Sequence, residues 1–160
     1  MKSILVTKIY AATAVIVLLF SVSACKKKID GPVDITKKTT ITLSGAQEVP
    51  AVTSTGTGTG QLSFDPTTKA ITYNFSWQLG STTATVTNMH FHGADDGSDI
   101  KSSGVAIGIT GFPTSTMGNM SGQTVALTDA QVSQLLAGKW YLNIHSSTVP
   151  GGELRGNIKF

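Results

Sequence analysis

The 160-residue chain has one cysteine, Cys25, so it can form no internal disulfide and its stability must come from a packed core. It carries no glycine-rich phosphate loop, no serine-nucleophile signature and no cysteine nucleophile, which leaves nucleotide chemistry and covalent catalysis without their usual carriers. Long apolar runs are scarce as well. The one near the start, Ala11 to Val22, falls short of the ~20 residues a membrane span needs. Positive charge is missing where a nucleic-acid surface would need it. From Thr39 onward five basic side chains stand against seven acidic ones, so the basic pI reflects the N-terminal lysines and implies no nucleic-acid partner. Histidine occurs only at positions 90, 92 and 145.

Lys2 and Lys8 precede the apolar run, and Val22-Ser23-Ala24-Cys25 follows it. A basic segment, a short apolar segment and two small residues before the only cysteine form a secretory signal that resembles the lipobox of bacterial lipoproteins. On this reading residues 1–24 are a signal peptide, and residues 25–38 are a lipidated Cys25 with a flexible tether. Acyl chains on Cys25 would hold the protein to the membrane, each buried methylene adding about 0.8 kcal/mol. Lys26, rather than an aspartate, follows the cysteine. The expected location is therefore the bacterial cell envelope, at the outer membrane.

From Thr39 to the end the chain reads as strands. Ile41 and Leu43 alternate with threonines until Gly45 to Pro50 interrupts. The segment Thr53 to Gly60 is either a loop or a glycine-rich strand start. Gln61 to Phe64, a turn at Asp65 to Lys69, and Ala70 to Leu79 predict a hairpin. Its second strand places Ile71, Tyr73, Phe75, Trp77 and Leu79 on one face, a stripe that reads as core. Thr83 to His92, Gly104 to Thr110 (with Val105, Ile107 and Ile109 inward) and Gln123 to Leu127 follow as strands. Gly111 to Ser121 reads as loop. Thr128 and Gln131 have capping-box spacing, Val132, Leu135 and Leu136 give an apolar stripe, and Gly138 is a stop, so one short helix is expected.

The closing hairpin has two distinct faces. Trp140, Leu142 and Ile144 point one way, and Tyr141, Asn143 and His145 the other; Leu154, Ile158 and Phe160 then oppose Glu153, Arg155, Asn157 and Lys159. Seven to eight strands with one short helix predict an all-β antiparallel sandwich or barrel, immunoglobulin-like or superoxide-dismutase-like.

The order of Leu43-Ser44-Gly45-Ala46-Gln47-Glu48-Val49-Pro50, Ile71-Thr72-Tyr73, His90-Phe91-His92-Gly93, and Tyr141-Leu142-Asn143-Ile144-His145 with Pro150-Gly151-Gly152-Glu153-Leu154-Arg155-Gly156 resembles the CHRD domain, the module named after chordin. The resemblance covers residues 39–160, with Ala51 where the family usually has a second proline and Phe91 where it commonly has isoleucine. It implies similarity to all-β extracellular modules; the function expected here is a non-catalytic binding or structural module for a protein or glycan, the alternative a histidine-based copper or zinc protein.

His90 and His92, two apart on a strand, project to one side, and His145 lies on the polar parity of its own strand. Three neutral imidazoles suit copper or zinc. A paired-histidine strand in a β-sandwich also resembles the copper/zinc superoxide dismutases, although further histidines for a two-metal set and a disulfide are both missing. The alternative is that the histidines hydrogen-bond to one another, to Asn143 or to Glu153 and seal a polar seam. Glu48, Asn143, Glu153 and Arg155 form the expected structural cluster, with Arg155 paired to Glu48 or Glu153. Glu153 lacks the second carboxylate or nucleophile that general-acid catalysis would need. The run Asp95-Asp96-Gly97-Ser98-Asp99 departs from the calcium-loop pattern and reads as an acidic turn.

Overall fold

Alternating apolar residues decide the architecture. In the computed structural model, which describes residues 34–93 and 100–160, they form β1 (Lys37–Ser44), β2 (Thr57–Asp65), β3 (Ala70–Gln78), β4 (Val86–Gly93), β5 (Val105–Gly108), β6 (Met117–Gln123), α1 (Asp129–Leu136), β7 (Trp140–Ser146) and β8 (Leu154–Ile158). The strands make one antiparallel sheet in the order β5-β4-β7-β8-β1-β2-β3-β6. The sheet curls into a half-barrel whose inner face closes on itself: the rings of Phe75 on β3 and Phe91 on β4 lie 5.9 Å apart, and Tyr73 meets Phe91 at 5.6 Å. This agrees with the expected all-β antiparallel class. Among the described residues no helix is long and apolar enough to cross a membrane. The signal segment, Cys25, most of the tether and the Asp95–Asp99 run lie outside the described residues.

The glycine-rich stretch resolves as the start of β2, and β2 pairs with β3 in unbroken register from Thr57↔Gln78 to Asp65↔Ala70. The helix begins as its capping pair predicts. The Gln131 N–H donates to Thr128 Oγ1 at 3.2 Å, and the Thr128 N–H donates to Gln131 Oε1 at 2.9 Å. Gly138 ends it with φ +71°. Only Leu135 of the apolar stripe is fully buried, whereas Leu136 is turned to solvent, because eight residues dock a narrower stripe than three apolar positions suggest.

Two strand expectations are corrected. The segment read as loop holds β6, and Gln123 to Leu127, read as a strand, is irregular beyond Gln123. The reason is visible in the β3–β6 register, where Gly118 faces Trp77 and Gly122 faces Tyr73. A Cβ at either glycine would come within 2.6 Å of Trp77 or 2.5 Å of Tyr73. Those two inward positions must therefore be bare, which leaves Met120 as the one large apolar residue facing inward and erases the alternation that would announce a strand. Val105, expected inward, is 55 % exposed. The β4–β5 pairing shifts between Phe91 and His92, so Ile107 sits opposite inward Phe91 while Val105 sits opposite outward His92.

The two halves of the sheet join narrowly. β1 and β8 register through one residue pair, Ser44↔Arg155. A 3₁₀ turn, Gly45–Gln47, follows β1 directly. With it, Glu48 is brought against Asn143 on the outer face of β7.

Candidate metal centre

The closing hairpin places its polar parity on the outer face, yet that face is covered. Tyr141, Asn143, Glu153 and Arg155 are each at most 3 % exposed. Register puts Asn143 between His90 and Arg155, and Tyr141 between His92 and Asn157. Buried polar groups must find partners or lose the hydrogen bonds water gave them. Here most do. Asn143 Nδ2 donates to Glu48 Oε1 at 2.7 Å. Glu153 Oε1 accepts from Ser54 Oγ at 2.8 Å and from the Gly80 N–H at 2.6 Å.

The expected pairing of Arg155 with Glu48 or Glu153 is corrected. Among the described residues the ion pairs are Lys38–Asp34 and Lys69–Asp129. Arg155 Nε donates to Asn157 Oδ1 at 3.1 Å, Nη2 donates to the Lys101 carbonyl at 3.2 Å, and the guanidinium carbon lies 3.6 Å from the Tyr141 ring centroid. Among the described residues its planar fork is used on the Asn157 amide, a backbone carbonyl and a ring, not on Glu48 or Glu153. Burial pushes the Glu48 carboxyl above its usual range, opposed by the Asn143 hydrogen bond and by the charge of Arg155.

The three histidines do converge. One ring nitrogen from each of His90, His92 and His145 lies within 4.8 Å of the others. None bonds to Asn143 or Glu153, whose polar atoms serve Glu48, Ser54 and Gly80. The hydrogen bonds also fix the tautomers, because a carbonyl oxygen only accepts. His92 Nδ1 stands 2.9 Å from the Ser103 carbonyl, and His145 Nδ1 stands 2.8 Å from the Pro150 carbonyl. Both Nδ1 atoms therefore carry the proton, and both Nε2 atoms present lone pairs. His90 Nδ1 meets His145 Nε2 at 3.3 Å and donates to it.

This set fits a metal ion. His92 Nε2 is buried and has no hydrogen-bond partner. An ion about 2.0–2.1 Å from the His90 and His145 nitrogens, replacing the proton between them, would see their 3.3 Å separation at close to a tetrahedral angle, with His92 Nε2 drawn in from within 4.8 Å. Backbone carbonyls on the far nitrogens of His92 and His145 are the outer partners that orient metal-bound imidazoles. Burial pushes the His90 imidazole below its ordinary 6.5, with His145 adding repulsion. Burial does the same to His92, aided by His90 and His145 and partly opposed by hydrogen bonding at Ser103 and Gly104. Both shifts favour the neutral imidazoles that ligation requires.

Sequence reasoning found the three histidines but missed Tyr141, Ser103 and Pro150. Tyr141 carried a signal, being an aromatic residue on the polar parity next to the histidine strand. The other two act through backbone oxygens, which leave no trace in residue type.

Curled antiparallel sheet and covered polar face together define an all-β module. The chain belongs to the CHRD family, whose domain model matches residues 39–158. Neither a curated protein nor a solved structure matches it.

Proposed function

We propose that the protein is a lipid-anchored, non-catalytic module of the bacterial cell envelope whose CHRD domain holds a copper or zinc ion on His90, His92 and His145. The carrying observation is the convergence of three imidazoles with two tautomers set by backbone carbonyls. Copper comes first, because divalent copper binds nitrogen donors more tightly than zinc does. The test is metal analysis of protein purified without chelator, followed by titration of stripped protein with each ion. Near one equivalent, abolished by His90→Ala with His92→Ala, supports the reading. No binding by the stripped protein removes it and leaves a module for a protein or glycan ligand.

The anchor rests on Val22-Ser23-Ala24-Cys25 behind its apolar run, and the outer-membrane destination on Lys26. Cys25→Ser should release the protein from the membrane fraction. Continued membrane association of that variant would count against lipid on Cys25.

A further inference from the structure

His92 is the most buried of the three candidate ligands, and its environment is built by a residue with no role so far. Tyr141 is its direct partner across β4 and β7. The two rings stack in parallel, with centroids 4.7 Å apart and an interplanar angle of 0°. They also meet at one backbone residue. The Ser103 carbonyl accepts from His92 Nδ1 at 2.9 Å and from the Tyr141 hydroxyl at 3.4 Å, while the Ser103 N–H donates to that hydroxyl at 3.1 Å. A buried phenol has committed its oxygen to both peptide groups of the residue that orients the imidazole.

The rest of the segment is pinned to the same face. Arg155, lying over the Tyr141 ring, reaches the Lys101 carbonyl, and Ser102 Oγ donates to the Val49 carbonyl at 2.6 Å.

We propose that Tyr141 is a positioning residue for the metal centre, holding His92 by ring stacking and by clamping the Ser103 carbonyl on its Nδ1–H. An imidazole rotates about its last side-chain bond in a broad, roughly two-fold well, so stacking and a fixed acceptor are both needed to keep Nε2 aimed. Ligands that drift by more than about 0.5 Å lose the ion. The affinity consequence rests on the metal reading above; the tautomer consequence rests on geometry alone.

The test is Tyr141→Phe, which keeps the ring and removes the oxygen. Copper affinity, measured by competition with a chelator, should fall about 10–100-fold, the usual cost of losing an outer-shell partner. In metal-free protein, nitrogen NMR should show His92 almost wholly protonated on Nδ1 in the wild type and as a tautomer mixture in the variant. A merely structural tyrosine would shift the melting temperature and leave the tautomer unchanged. Equal affinity and an unchanged tautomer in Tyr141→Phe overturn the role of Tyr141. A wild type that binds neither copper nor zinc overturns the metal reading instead. Should Tyr141→Phe fail to fold, Ser102→Ala frees the same segment from an exposed position. A several-fold weaker affinity supports the clamp, and an unchanged one overturns it.

Discussion

Strand β7 buries both of its faces, but for opposite reasons. Inward, Trp140, Leu142 and Ile144 are fully buried among other apolar side chains. Outward, Tyr141 and Asn143 are almost as buried, yet each is committed to a particular atom: Tyr141 to Ser103, Asn143 to Glu48. Apolar packing is non-directional and tolerates any neighbour of the right shape. Hydrogen-bonded burial is directional, and it fixes where a segment lies and which nitrogen an imidazole presents. The inner face makes the domain fold, while the outer face makes it specific.

The comparison breaks most readily on the inner side. Leu142→Ala should cost about 2–5 kcal/mol in chemical denaturation; a loss no larger than that of an outer-face variant would erase the distinction. Arg155→Ala comes next. The guanidinium is fully buried and its loss removes the bonds to Asn157 and to the Lys101 carbonyl, so a fall of about 1–3 kcal/mol, several degrees of melting temperature, is expected. An unchanged melting temperature would remove its structural role.

His90→Ala with His92→Ala removes the imidazole pair, the His92–Ser103 hydrogen bond and the stack on Tyr141, so metal-free protein should lose about 1–2 kcal/mol. The wild type, by contrast, should gain about 2.7 kcal/mol from copper at one hundred times its dissociation constant, and the double variant nothing. Acidification separates the two outer-face groups. The His90 and His92 imidazoles are depressed in the folded state, so the unfolded chain takes up protons first and stability falls as pH drops below the ordinary 6.5. That loss should flatten in the double variant. Glu48 runs the other way. Its raised carboxyl contributes stability below the ordinary 4.5, which is lost as pH rises through the folded value. Glu48→Gln should accordingly be the mildest change, under about 1 kcal/mol at neutral pH, since an amide oxygen still accepts from Asn143.

Legibility in the sequence follows the same division. β3 and β7 were readable because large apolar side chains mark every second position, β8 because Leu154 and Ile158 flank Gly156, and α1 because Thr128 and Gln131 cap each other. β6 was not, since Gly118 and Gly122 stand where the pattern needs bulk, and Val105 was misplaced by an irregular pairing that parity cannot foresee. The histidine trio followed from strand parity alone. What fixes it did not: the Ser103 and Pro150 carbonyls are properties of the folded backbone, and Arg155 meets the Lys101 carbonyl and Tyr141 instead of Glu48 or Glu153.

β8 lies between β7 and β1, so the last strand is the wedge that holds the two halves of the sheet together. Gln47 and Asn157, which meet beside that join, are 110 residues apart in the chain. Contacts this remote are made late, after the local hairpins have formed. A chain cut short before Leu154 would present two unpaired strand margins, one on β1 and one on β7. Such margins template the addition of further chains. Truncation ahead of β8 should therefore yield aggregates instead of a slightly loosened domain.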